Sequence, residues 1–441
     1  RMSEPRYCSL LWKHISNEPL GHVRTCCIAR DRVYDTDGKE VTLGSHSIKD
    51  IFHSEYYQNI RQEIRDGKLP DNCSPCWQDE ANGNKSKREQ YNEYAKARYG
   101  PINYEKEPDM PADIQLTLSN TCNLKCRSFN PHNSSKWVKE AKDRGMPYNE
   151  EVVDIPLLDF ENSKFWTTMD EWLPSITQLE VMGGEPFYMK EFRTFVNTLV
   201  EKGVAKNIHL NTCTNGTFAN KKFLKTLIEN FASVGFNVSI DGATKERFEY
   251  LRHGGDWDEV SKNLDYFHSL NETHQASIGI SHTITAMNVM YLAEFHKIFR
   301  ERWPTFKIYH NIARFPTWFN PSVFPEDMKP AIVKPLKDAE LGEALRKELN
   351  GIIKFVLTPR TETVRPYGIA VTDTVENEII HRWNLFRQQI VSGDLYRKEN
   401  FRQAFPELWE IVKDDFLYNK EMKLAEKEPT TYGSLEKGKV I

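Results

Sequence analysis

No run of about 18 consecutive apolar residues occurs in this 441-residue chain, so no membrane-spanning helix is expected. Positive charge is not in excess either. Lysines and arginines number 59 against 63 acidic residues, a formal balance of −4, and nothing is basic enough to make nucleic acid the main partner. The zinc-hydrolase pair HExxH is missing. An apolar signal core is also missing from Arg1-Met2-Ser3-Glu4-Pro5-Arg6, so a reducing cytoplasm is the expected compartment; the arginine ahead of the methionine suggests a trimmed fragment. No internal repeat or low-complexity block stands out. The length allows two or three domains, with ample chain for a sizeable core.

Cysteine is where the sequence becomes specific. The eight are Cys8, Cys26, Cys27, Cys73, Cys76, Cys122, Cys126 and Cys213, clustered rather than scattered. In a large chain without export signals, such clusters favour metal ligation over a disulfide framework. Cys73-Ser74-Pro75-Cys76 is a tight CxxC knuckle that points two thiolates at one metal. Cys8 and one of Cys26 or Cys27 complete four soft ligands, which on composition alone read as a structural zinc ribbon. Cys122 and Cys126 sit four apart in a loop after a short alternating run, Ile114 to Leu118. That spacing suits an iron–sulfur cluster or a zinc ion.

Residues 112–320 alternate strand-like runs with amphipathic helices. The expected strands are Ile114–Ser119, Ile176–Met182, Ile208–Cys213, Phe236–Asp241, Ser277–Thr283 and Phe306–Asn311, and their alternation with helices implies parallel βα units. Gln115, Thr117 and Ser119 alternate with Ile114, Leu116 and Leu118; Asn237, Ser239 and Asp241 alternate with Phe236, Val238 and Ile240. One face therefore packs on helices while the other lines something polar. A closed barrel fills its lumen with branched apolar side chains, so a polar inner face predicts an open, partial barrel around a charged ligand. Ligands are expected at the carboxy-terminal strand ends. Those ends carry the Cys122/Cys126 loop, Met182-Gly183-Gly184-Glu185-Pro186, Thr212 to Thr217 and Val238 to Gly242. Paired glycines allow close backbone approach, and Glu185 can meet an ammonium group.

In this order the features resemble the radical S-adenosylmethionine (SAM) family. Cys122-Asn123-Leu124-Lys125-Cys126-Arg127-Ser128-Phe129 resembles the CxxxCxxC signature, whose cysteines hold a 4Fe–4S cluster with one iron open for SAM. The resemblance implies an α/β fold, a partial (βα)6 barrel. It also implies SAM contacts from Gly183, Gly184, Glu185 and Pro186 at the amino group, from Asn215, from Ser239 and Asp241 at the ribose, and from Arg252 near the carboxylate. The amino-terminal order is an early cysteine, Gly21 to Cys26, Leu43-Gly44, an amphipathic helix and CxxC. It resembles the auxiliary-cluster (SPASM or twitch) module of the same family. The implied ligands of this second cluster are Cys8, Cys26, Cys73 and Cys76, with Cys27 the alternative to Cys26 and zinc the alternative metal. Expected regions are this module over 1–100, the barrel over 112–320, carboxy-terminal helices over 321–423 and a mobile tail over 424–441.

Phe129 departs from the signature, because a phenyl ring cannot ligate iron. Cys213 is the leading substitute, since its alternation places it with His209 and Asn211 on the polar face; His132 is the weaker one. The implied activity is cleavage of SAM to a 5′-deoxyadenosyl radical that attacks a substrate, by resemblance a peptide or protein, with a flavodoxin or ferredoxin as electron donor. No catalytic side chain is assigned. The competing expectation is a catalytically silent SAM-fold binding protein, and a zinc hydrolase is a distant third.

Overall fold

A computed structural model describes residues 6–81, 85–153, 161–313, 316–359 and 375–416, with backbone alone at 375–378. The expected tail at 424–441 and part of the carboxy-terminal region lie outside the described residues.

Ten strands form among the described residues: β1 His14–Asn17, β2 Val23–Arg24, β3 Asp113–Thr117, β4 Lys125–Cys126, β5 Gln178–Met182, β6 His209–Thr214, β7 Ser233–Ser239, β8 Arg252–His253, β9 Ser277–Ile284 and β10 Lys307–Ile312. Eight make one sheet in the order β10-β9-β7-β6-β5-β3-β1-β2. The run from β3 to β10 is parallel throughout and carries all six expected strands, shifted at their ends by one to three residues. Helices such as Lys190–Glu201, Lys221–Asn230 and Trp257–Glu272 connect them. β10 pairs only with β9, so the sheet is open. The protein is thus a mixed α/β fold of the partial-barrel kind.

Alternation along the strands decides which face meets the helices. Leu179, Val181, Leu210, Val234, Phe236 and Val238 are buried under helix residues such as Phe192, Phe195, Val196 and Leu199. Burying each such side chain contributes about 1.5–3 kcal/mol. The opposite face carries Gln115, Glu180, Asn211 and Asn237 and borders a cavity of about 1080 Å³.

The amino-terminal module joins this sheet directly. β1 lies parallel to β3, pairing His14 with Asp113 and Ser16 with Gln115, and β2 folds back on β1 as a hairpin. One hydrophobic core runs from Leu10 and Trp12 of the module through Leu116, Val181 and Phe236 of the sheet. The amphipathic helix expected ahead of the CxxC knuckle is two: Ile48–Phe52 ends at His53, and Ser54 caps a new helix, Glu55–Arg65, by accepting from the backbone N–H of Tyr57. Gly67 ends that helix with φ of +75°, the left-handed value that glycine adopts without strain.

The carboxy-terminal helices Glu343–Leu357, Val375–Arg397, Phe401–Ala404 and Pro406–Val412 build a second core. It gathers Leu349, Ile353, Trp383, Phe386 and Phe401 against Tyr250, Leu251 and Ile284 of the central region. No helix among the described residues is long and apolar enough to cross a membrane.

Candidate functional site: a four-thiol set and a two-thiol loop

The first site is assembled from three segments. Cys8 precedes the short helix Leu10–Lys13, Cys26 follows β2, and Cys73 and Cys76 flank the start of the helix Ser74–Ala81. Asn72 locks the knuckle to the Cys26 loop. Its carboxamide oxygen accepts from the Asp31 backbone N–H at 2.7 Å, and its backbone oxygen accepts from that of Arg30 at 3.0 Å. Burial pushes the Cys8 thiol up to about 12 and those of Cys26, Cys73 and Cys76 upward as well. After burial, Cys73 is raised further by Cys8, Cys26 and Cys76 in turn, so each of the three lies within electrostatic reach of it. Such mutual repulsion of thiolates is relieved by a bound cation or cluster, which deprotonates its ligands.

Cys27 behaves differently. Its side chain is exposed and borders the cavity, where Lys87 and Glu180 act on it, whereas Cys26, after burial, responds to Cys27 and then to Cys8 and Cys76. Arg88 was not foreseen from sequence. Its guanidinium bonds the Tyr7 carbonyl at 2.9 Å and Glu80 at 2.8 Å, and its charge lowers Cys8 and Cys76. Nothing local in the sequence marks it, because the contact requires the helix Lys87–Tyr99 to fold back over the knuckle. No three His, Cys, Asp or Glu side chains among the described residues are gathered tightly enough to cage a single ion. A cubic iron–sulfur cluster holds its ligands at separate corners, farther apart than one ion does. The all-thiol donor set with a cation beside it fits such a cluster.

The second site lies at the carboxy-terminal strand ends. Cys122 and Cys126 are buried with Leu124 in a small apolar island. The Leu124 backbone N–H donates to the Cys122 sulfur at 3.4 Å, and Arg252 donates to the Cys126 sulfur at 3.7 Å. Burial pushes Cys126 up to about 12. Gly183 and Gly184 have φ of +83° and +54°; a side chain on Gly184 would collide with the Thr121 carbonyl, so the glycines let the β5 turn press on the cysteine loop. Glu185, next in that turn, is fully buried. It accepts from Thr214 Oγ at 2.7 Å and from the backbone N–H groups of Asn215 at 2.6 Å and Phe187 at 3.1 Å. Burial outweighs these three donors and raises its carboxyl to about 7. Pro186 is buried beside it.

Other expected contacts are held in internal pairs. The Asn215 carboxamide donates to Asn123 Oδ1 at 2.8 Å and accepts from Thr217 Oγ1 at 2.6 Å. Asp241 pairs with Arg252 at 2.7 Å and accepts from the Thr283 N–H at 2.9 Å. Ser239 is half-buried on the polar face.

Of the two substitutes for the missing thiolate, Cys213 shares the polar face with His209 and Asn211; burial, then Glu180 and Glu185, push its thiol up to about 12, and Arg252, which donates to the Cys126 sulfur, lowers it. His132 lies among Glu18, Arg32 and His22 of the amino-terminal hairpin. Phe129 is 41% exposed, its N–H closing a turn onto the Cys126 carbonyl at 3.1 Å. Two thiolates therefore fit a core cluster and the third position does not.

What holds the loop is protein. Arg127, buried, bonds Asp394 and Glu399 at 2.5 Å each and stacks 3.7 Å over the Tyr250 ring. Tyr250 donates to Asp394 at 2.7 Å, and His253 pairs with Glu399 at 2.5 Å. A side chain at Gly393 would meet the Arg127 guanidinium at 2.7 Å, so this glycine opens the way for the latch.

The chain is similar in part to known proteins. Residues 8–77 match the family model of SPASM, an iron–sulfur cluster-binding domain. A stretch of 155 residues is 23% identical to GTP 3′,8-cyclases of Clostridium botulinum strains, covering 34% of this chain and 42% of theirs. The chain thus spans less than half the length of the curated relatives it matches. Among solved structures, Streptococcus suis SuiB bound to S-adenosylmethionine is 13% identical with a TM-score of 0.29, covering 52% of this chain and 44% of that one. Native anSMEcpe with bound AdoMet is 20% identical with a TM-score of 0.31, covering 50% and 57%. The protein is radical SAM/SPASM-like. Its SPASM-type module, unlike the order usual for the resemblance, precedes the barrel.

Proposed function

We propose that this chain is a radical SAM-type iron–sulfur protein that carries an auxiliary cluster on Cys8, Cys26, Cys73 and Cys76 and binds SAM at the carboxy-terminal strand ends to act on a peptide or protein substrate. The observation that carries the reading is the convergence of four thiols beside Arg88, on the same sheet as a second thiol loop and a buried carboxylate. A bound iron–sulfur cluster supplies one-electron chemistry. The chain's own residues supply recognition. Glu185, fixed by three donors, offers its carboxylate to an ammonium group. Gly183 and Gly184 bring that carboxylate against the cysteine loop. Arg252 meets a ligand carboxylate by sharing its charge with Asp241, and Asp241 with Ser239 offers acceptors to hydroxyl groups. The module over 1–100 backs the barrel, and the helices over 321–423 brace the cysteine loop. A cytoplasmic setting and a flavodoxin or ferredoxin donor belong to the same reading.

Because the donor set at Cys122 and Cys126 stops at two thiolates, no step is derived through a core cluster. The exposure of Phe129 favours one second reading, a SAM-binding protein silent in radical chemistry. The test is anaerobic reconstitution with iron and sulfide, followed by SAM and dithionite, with bound SAM and released 5′-deoxyadenosine both measured. Release supports the enzyme. Binding without release supports the silent protein, and no SAM binding overturns both.

A further inference from the structure

The cavity of about 1080 Å³ is bordered by the amino-terminal halves of β3, β5, β6, β7, β9 and β10, away from the strand ends that carry Glu185 and Asp241. Two features of its wall are unexplained by packing. In register, Asn211 of β6 faces Gly235 of β7, and Asn237 of β7 faces Gly279 of β9. A Cβ on Gly235 would meet Asn211 Oδ1 at 2.6 Å, and a Cβ on Gly279 would meet Asn237 Oδ1 at 2.6 Å. Each carboxamide therefore lies across the bare glycine of the next strand. Neither glycine has a positive φ, so backbone freedom is not the reason for it. Glycine within a strand weakens it and marks a place where something approaches closely. Here the approaching group is the amide, and neither amide has a hydrogen-bond partner among the described residues.

A carboxamide left without a partner beside a cavity keeps its donors and acceptor for whatever enters. The neighbours define that ligand further. Glu180 stands beside Asn211 in register, and Lys87 of the module lines the same cavity. Lys87 and Glu180 influence each other without closing into an ion pair, which leaves a gap between opposite charges.

We propose that Asn211 and Asn237 form an amide-recognition subsite and that Lys87 is its anion-binding end. The ligand it takes carries an amide group and a carboxylate, as a peptide segment with a carboxy-terminal or side-chain carboxylate does. The inference rests on the proposed action on a peptide or protein and assigns that substrate a binding subsite on the polar face of the sheet, away from the strand ends that carry Glu185 and Asp241. Asn211, Asn237 and Lys87 are positioning residues, and none is a cluster or SAM contact in that reading.

The probe is N-acetylglycylglycine, which has two amides, one carboxylate and no ammonium group. Binding to the full-length, iron-reconstituted protein is measured by saturation-transfer NMR, with iron content and SAM binding recorded on the same samples. Saturable binding is expected in the parent protein. Asn211→Ala combined with Asn237→Ala weakens it about tenfold, the loss of one to two hydrogen bonds. Gly279→Ala weakens it in the same direction, because its methyl displaces the Asn237 amide without deleting it and presses on the Tyr309 ring beside it. Lys87→Gln weakens it too, and the analogue with both amide nitrogens replaced by ester oxygens binds poorly. Probe binding that is absent, or unchanged in the double variant while iron and SAM binding persist, overturns the subsite alone. Binding of GTP, rather than of the probe, that depends on the two asparagines overturns the ligand class. Asparagine-dependent probe binding in protein that fails to bind SAM keeps the subsite and overturns the SAM reading.

Discussion

The two cysteine sites differ in what completes them. In the amino-terminal module, four thiols from separated segments lie within one another's electrostatic reach, and Asn72 ties the knuckle to the Cys26 loop through its carboxamide and its backbone carbonyl. In the central loop, Cys122 and Cys126 are as deeply buried, yet the third position of the signature is an exposed phenyl ring. The central loop is instead held by charge. Arg127 reaches Asp394 and Glu399, and Lys125 reaches Glu140 at 2.9 Å, which also receives Arg397 at 3.0 Å. One site offers four thiols. The other keeps its loop in place without a complete donor set.

Restoring the missing thiol breaks the contrast most strongly. Phe129→Cys is expected to raise iron from about four to about eight per chain after reconstitution, read by iron and sulfide analysis. Next in size is the latch. Arg127→Met leaves Asp394 buried beside a lost cation and costs about 3–5 kcal/mol, measured by denaturant unfolding. Lys85→Met removes an exposed pair with Glu93 and costs about 0–1 kcal/mol in the same assay.

A smaller effect concerns pH. The Glu185 carboxyl is raised to about 7, so its ionised, ammonium-binding form is lost as pH falls through that value. SAM binding is expected to weaken several-fold, up to about tenfold, between pH 7.5 and 6, and Glu185→Gln flattens the dependence when titrated by calorimetry. Smallest of all is Cys27→Ser. Because Cys27 borders the cavity rather than the thiol set, iron content stays unchanged. A drop matching that of Cys26→Ser would exchange the two ligands.

Much of this was legible along the chain. The alternation of Gln115 with Ile114 and of Asn237 with Phe236 announced a sheet polar on one side, since strand periodicity is local. β7 begins at Ser233, three residues ahead of the expected Phe236, and includes Gly235, whose bare Cα lies against the Asn211 carboxamide. The pairing of β1 with β3 had no local signal, since it joins residues about a hundred positions apart. Arg127 looked like an ordinary loop residue, and its role emerges only when Asp394 and Glu399 arrive from the far end of the chain.

The central claim, that the amino-terminal thiols hold an iron–sulfur cluster independently of the central loop, has one direct measurement. Iron and sulfide are counted in two reconstituted double variants, Cys73→Ser/Cys76→Ser and Cys122→Ser/Cys126→Ser, with electron paramagnetic resonance of the reduced samples. The account predicts that the first loses its cluster signal and about four irons, while the second keeps them. Iron that survives in the first and disappears in the second would contradict it.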